Sequence, residues 1–208
     1  MDKEKEKIVS YAHDLFVDNG FYKTTIDEIA KDLQMSKKTI YKHFSSKDEL
    51  VEAVCDMRMK FGHEMISEII DSKEDDAVTK FIKIVNVVQG KLVNCSERWL
   101  KDLQYHAPHC LKKFHKFRDE HIMNVMSKIL EQGKREKLIV NSHTQIIIQA
   151  YIGAITAVAS PEFVINNKFS LKDVHRITSE IFFNGFLTPL GKEKYANTKK
   201  LFEKVLAS

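Results

Sequence analysis

Residues 25–44, TIDEIAKDLQMSKKTIYKHF, with SSKDELVEAV directly behind them, constrain this chain more than any other stretch. Helix starts are written there in side-chain chemistry. Thr25 with Glu28 is a capping box, in which a hydroxyl and a carboxylate satisfy the free amides of a helix N-terminus. Ser36 is a further N-cap, and Ser46 with Glu49 is a second capping box. The room between these starts holds two short helices and a tight turn, the arrangement of a helix-turn-helix. Ile29, Ala30 and Leu33 face inward, and small Ala30 lets the next helix cross closely. Ile40, Tyr41 and Phe44 tie that second helix to its bundle.

The flanking sequence extends the pattern. Ile8, Ala12, Leu15 and Phe16 mark a preceding helix with i, i+4, i+7, i+8 spacing, ended at Asn19-Gly20, where glycine suits a left-handed cap. Leu50, Val54, Met57, Phe61, Met65 and Ile69 stripe a long fourth helix. Helical periodicity continues over about 75–94, 96–107 (stopped by Pro108) and 110–137. Ser142 with Gln145 predicts a third capping box and a helix ending at Pro161. Ser170 with Asp173 opens one that reaches Leu187, and 192–206 is an amphipathic tail. The chain holds only seven Gly and three Pro, and no alternating strand pattern occurs. The expectation is an all-α protein: a three-helix head over residues 1–48, with a helix-turn-helix motif at 25–44, and a larger helical body over 49–208.

Charge is informative by position. Net charge is +4 for the whole chain, while residues 1–60 carry 11 Lys/Arg against 12 Asp/Glu. Yet from Leu33 through Lys47 there are four lysines and no carboxylate, and phosphate contacts depend on where cations sit. Cys55, Cys95 and Cys110 form no CxxC pair, which fits a reducing compartment rather than a disulfide framework. The N-terminus lacks a signal-like apolar run, and no stretch approaches the ~18 apolar residues of a membrane span. A cytoplasmic location is expected.

A helix-turn-helix lays its second helix in the major groove of double-stranded DNA. Lys37 and Lys38 then reach phosphates or guanine edges, and Thr39 a base edge or thymine methyl. Tyr41 offers a hydroxyl, and Lys42 and His43 complete the exposed face. Lys47, in the first turn of the fourth helix, and Thr25, at the start of the second, are further phosphate contacts.

These residues carry a resemblance. Phe16, Gly20-Phe21, Thr24-Thr25, Ile29-Ala30, Ser36, Thr39, Tyr41, Phe44 and Ser46-Lys47-Asp48-Glu49-Leu50 make residues 5–60 similar to the DNA-binding head of the tetracycline-repressor (TetR) family. The resemblance implies a homodimeric transcription regulator, usually a repressor on a palindromic operator, released by a small-molecule effector. It also implies a dimer interface on the two helices before the tail, through Gln149, Gly153, Ala157, Ile177, Ile181, Phe182 and Gly185. Two positions depart from the family. Many members have glycine where this chain has Gln34 and Lys38, and a positive φ at Gln34 would cost roughly 1 kcal/mol.

In the body, the residue types suited to an adaptable apolar pocket are Phe61, Met65, Trp99, Tyr105, Phe114, Phe117, Met123, Met126 and Tyr151. Lys112, Lys113, Lys116 and Arg118 form a basic run, read as a solvated face or an attraction for an anionic effector. His106, His109, His115 and His121 crowd Cys110, the donor types of a transition-metal sensor. Their spacing around a helix and across Pro108 argues against a shared site, so no metal and no other cofactor is assigned. Neither phosphate-binding loop nor HExxH, GxSxG or CxxC occurs, which gives no basis for an enzyme. Two alternatives stay open: a helical adaptor binding protein through the same head, and a metal-responsive regulator using the 106–121 region.

Overall fold

The computed structural model describes residues 2–206. Among them eleven α-helices follow in order: α1 (Lys3–Asn19), α2 (Ile26–Asp32), α3 (Lys37–His43), α4 (Lys47–Asp71), α5 (Ala77–Val87), α6 (Glu97–His106), α7 (Pro108–Arg135), α8 (Thr144–Val158), α9 (Pro161–Asn166), α10 (Leu171–Phe186) and α11 (Pro189–Leu206). A π-turn, Val88–Leu92, extends α5 where a continuous α-helix was expected. The residues gather into two compact units, Met1–Phe61 with Cys95–Phe117, and Gly62–Asn94 with Arg118–Ser208. The units divide the chain elsewhere than at residue 48, because α6 packs back onto α1.

In the first unit α1 buries Ile8, Val9, Ala12, Phe16 and Val17. Also buried in this unit are Ile26, Ile29 and Ala30 of α2, Ile40 of α3, and Phe44, Leu50, Val51 and Val54. Gly20 ends α1 with φ 80° and ψ 165°. The expected positive φ is there, but ψ is extended rather than left-handed helical, a region open essentially to glycine alone. The bend delivers Phe21 between Phe16 (ring centroids 6.0 Å apart) and Trp99 of α6 (5.5 Å, edge-on). Asp102, one turn along α6, accepts the backbone N–H groups of Phe21 and Tyr22 on one oxygen, at 2.6 and 2.7 Å. The three cysteines are free thiols. Burial pushes the Cys55 thiol up and that of Cys95 to about 11, so both stay protonated and unreactive.

The second unit packs α5, α7, α8 and α10 around stacked Phe81 and Phe183 rings (3.5 Å), with Ile129, Leu130, Ile148 and Phe186. Lys80 is buried there with its ammonium bonded at two points. It donates to the carbonyl of Ile70, in the last turn of α4, at 2.7 Å and to Gln132 at 3.0 Å, a favourable place for a cation.

Several helix starts differ from expectation, α7 opening at Pro108 and α11 at Pro189 among them. The Ser142–Gln145 capping box does not form: α8 begins at Thr144, and its N-cap residue, His143, makes no side-chain cap bond. The Thr144 hydroxyl is bonded instead to Glu131 and Lys134 of α7, so a tertiary contact sets the start. Pro161, expected only to stop a helix, also opens α9 from its first turn, where a missing N–H costs nothing. Ile139 and Leu187 form an isolated antiparallel bridge. Among the described residues no helix is long and apolar enough to cross a membrane.

Candidate nucleic-acid interface

The geometry begins with caps. Thr25 accepts from Glu28 N at 3.2 Å while the Glu28 carboxylate accepts from Thr25 N at 2.7 Å, so the reciprocal box of α2 is complete. At the other end Met35 N reaches Ala30 O (2.8 Å) and Gln34 N reaches Lys31 O (3.1 Å). That pair of bonds is a Schellman ending, which requires a left-handed residue between them. Gln34 fills the place with φ 55°. The chain reverses, and Ser36 caps α3 through Thr39 N at 3.0 Å. Behind α3, Ser46 caps Glu49 N at 3.1 Å, but the Glu49 carboxylate returns to Ser45 N and Oγ (2.6 and 2.8 Å) instead of to Ser46. Those donors hold the Glu49 carboxyl below its ordinary range.

Fixed at both ends, α3 can present only one surface. Lys37, Lys38, Tyr41 and Lys42 are exposed, and at ~100° per residue they span about 140° of the helix. Ile40 fills the opposite side with no exposure at all. Among the described residues Lys38 and Lys42 form no ion pair, so both ammonium groups are available to an anion.

The remaining predicted contacts are more engaged. Lys37 Nζ lies 3.0 Å from Asp27 of α2, and this bond holds its pKa above the ordinary lysine value. The stretch without carboxylates in sequence therefore acquires one in space. The Thr39 hydroxyl is 2.8 Å from Ser36 Oγ. Lys47 is half-buried and donates to Tyr22 O at 2.8 Å, and desolvation lowers its pKa. His43 does not lie on the exposed face. Its side chain is 8% exposed, with Nε2 2.8 Å from Glu4 and Nδ1 3.7 Å from Asp2 of the α1 start. It is a tether between α3 and α1, beside Lys5, whose ammonium sits 5.0 Å from the Phe44 ring.

The surface is thus a short helix, anchored by Ile40 and Phe44, with lysines and a tyrosine directed outward. Over residues 8–54 the chain matches the family model for bacterial regulatory proteins of the tetR family. The head is of the TetR type. It is 28% identical to the uncharacterised HTH-type transcriptional regulator YvaF of Bacillus subtilis over 188 residues, covering 89% of this chain and 95% of that one. Its head is 42% identical over 48 residues, 23% of this chain and 26% of the other, to IcaR of Staphylococcus aureus, a negative transcriptional regulator of the biofilm operon icaADBC. In fold it resembles a transcriptional regulator from Cytophaga hutchinsonii, with TM-score 0.69, 20% identity and coverage of 90% and 100% of the two chains. A TetR-family regulator from Marinobacter aquaeolei also gives TM-score 0.69, at 18% identity and coverage of 96% and 98%. The protein is a DNA-binding transcriptional regulator.

The predicted pocket residues are shared between the two units. Phe61, Trp99, Tyr105, Phe114 and Phe117 belong to the first unit, and Met65, Met123, Met126 and Tyr151 to the second. Tyr105 is 69% exposed, Phe61 and Met123 are also exposed, and Trp99 is spent on Phe21. Tyr151 is buried in the second unit, its hydroxyl 2.9 Å from Ser179 and its ring edge-on to Phe182. Phe182, predicted at a dimer surface, is thereby half committed to the internal core. Arg118, the last cation of the basic run, bonds Asp119 and Thr156. Asp27, Asp102 and Glu4, which position the head, escaped sequence reasoning because each acts on a residue far along the chain.

Proposed function

We propose that this regulator is a ligand-released repressor that binds a palindromic operator as a homodimer. Residues 1–48 are the DNA-binding head, and 49–208 carry effector binding and dimerisation in the cytoplasm. The outward row Lys37, Lys38, Tyr41 and Lys42 carries this reading: it puts three cations and a phenol on one face of a buried-anchored helix. Thr25 and Thr39 supply hydroxyls at the two helix starts, and Lys47 steadies the loop behind them. Repression follows the likeness of the head to IcaR.

The dimer surface is supported by the outward faces of α8 and α10. Gln149, Gly153 and Ala157 are exposed on the first, and Ile177, Ile181 and Gly185 on the second. Ile181 is 66% exposed, and a Cβ built on Gly153 or Gly185 would have nothing within 4 Å. Bare glycines flanked by exposed isoleucines suit two helices of one subunit meeting two of another. Two heads would then meet successive major grooves ~34 Å apart. An effector releases such a dimer only by binding its off-operator state more tightly.

Selection from random-sequence DNA tests the reading. The expected outcome is an enriched palindrome whose binding weakens steeply with salt. Lys42→Ala and Tyr41→Ala should each weaken that binding by about 1 kcal/mol or more and leave the dimer intact. If no palindrome is enriched, the adaptor reading takes its place.

A further inference from the structure

Four histidines crowd residues 106–121 in sequence, and the fold separates them. His106 lies flat on Tyr22, ring centroids 3.7 Å apart. His109 pairs with Glu52 at 2.9 Å. His121, on α7 in the second unit, instead meets His63 of α4, a residue 58 positions earlier. Nδ1 of His63 lies 2.7 Å from Nε2 of His121, with the rings nearly perpendicular at 87°. The two nitrogens face each other at an open cleft with a volume of ≈ 20 Å³, room for about one water, and the cleft is also bordered by Ser67, Asn124 and Lys128. The Lys128 ammonium is 3.8 Å from Asp71, which offsets its charge.

Two imidazoles aimed at one point from different helices can share either a proton or a metal ion. We propose that His63 and His121 form a binding site for a late first-row divalent metal ion, clipping α4 to α7. Tetrahedral zinc–nitrogen bonds of about 2.0–2.1 Å set the nitrogens ~3.3 Å apart. The rings therefore need to spread by only about 0.6 Å from the 2.7 Å they now keep. Whichever nitrogen now donates passes its proton to the other nitrogen of its ring, a tautomer change with no change of charge. Water completes the coordination, in a cleft that Ser67 and Asn124 also line. An all-imidazole set favours zinc, nickel, copper or cobalt and disfavours magnesium or calcium. Among the described residues no group of three or more His, Cys, Asp and Glu side chains is placed to hold a metal, so the site is two-coordinate from the protein and readily exchanged. That is the character of a sensing site rather than a structural one.

The inference does not depend on operator binding, and its test uses no DNA. Calorimetric titration of the full chain, purified without a histidine tag, with zinc and separately with magnesium decides it. The expected result is one zinc per chain and no uptake of magnesium. His63→Ala and His121→Ala should each weaken zinc binding by at least about 10-fold, since even outer-shell changes cost that much at metal sites. His109→Ala should bind as the parent does, and His63→Gln, which keeps a polar side chain of similar length, should lose the metal as His63→Ala does. Absence of zinc binding by the parent overturns the proposal. So does retention in His63→Ala, His63→Gln or His121→Ala, or equal loss in His109→Ala.

Discussion

Adding a single methyl group at Gly20 should cost this protein about 3–5 kcal/mol, and the sum has identifiable parts. The backbone there is held at φ 80°, ψ 165°, where a side-chain-bearing residue is strained by about 1–3 kcal/mol. The new Cβ would stand 2.6 Å from Asp102 Oδ2 and 3.1 Å from Arg98 Cβ. That oxygen is the acceptor for both Phe21 N and Tyr22 N, so the carboxylate cannot move aside and keep its bonds. The Tyr22 amide is exposed and can turn to water. The part-buried Phe21 amide cannot, and losing a charged acceptor there costs about 2 kcal/mol. At about 2–4 °C per kcal/mol for a chain of this size, the thermal midpoint should fall by roughly 10 °C. Urea unfolding followed by far-ultraviolet circular dichroism gives the free energy, and a double-mutant cycle separates its parts. In an Asp102→Ala background the methyl no longer meets the carboxylate, and Gly20→Ala should cost only its backbone share. A coupling of about 2 kcal/mol is expected between the sites. Additive losses, or a cost below about 1 kcal/mol for Gly20→Ala alone, would refute the account of this corner.

Gln34→Gly should stabilise the protein by roughly 0.5 kcal/mol, because relief of the left-handed strain exceeds the added freedom of the unfolded chain. Lys31→Gly, inside α2, should instead destabilise by about 1 kcal/mol, so opposite shifts of the urea midpoint are the check. His175 supplies a pH dependence. Its crowded surroundings, with the Arg118 charge second, push its pKa down to about 4 from 6.5. The unfolded chain therefore binds the extra proton first. The stabilisation is fully present above pH 6.5, declines as pH falls towards about 4, and amounts to something on the order of 2–3 kcal/mol. Titrating stability across that window in the parent and in His175→Phe should show the steeper slope in the parent; equal slopes would assign it elsewhere.

Local chemistry in this chain was readable, and distant chemistry was not. The caps at Thr25 and Ser36 and the strained φ of Gln34 are decided within three or four residues, so side-chain type and spacing suffice to find them. Ser142 failed for the complementary reason: a good cap in isolation, it lost to Thr144, which Glu131 and Lys134 hold from another helix. His43 was expected on the DNA-facing surface because helix position alone is silent about Glu4, a residue 39 positions away. Lys37 likewise gained Asp27 from across the turn. Exposed Lys38 and Lys42 agreed with expectation because nothing in the fold competes for them.

The tie between α6 and the corner at Gly20 has a consequence for how such a protein is made and remade. The segment that presents α3 emerges before α6, so Phe21 waits for Trp99 and its amide for Asp102, some eighty residues later on the ribosome. Until they arrive the corner has an uncovered aromatic ring and a bare donor. The same holds when heads are exchanged between regulators to rewire a circuit. A graft cut near residue 61 carries the lysines and leaves behind their keystone, whereas one that also transfers α6 moves the corner whole.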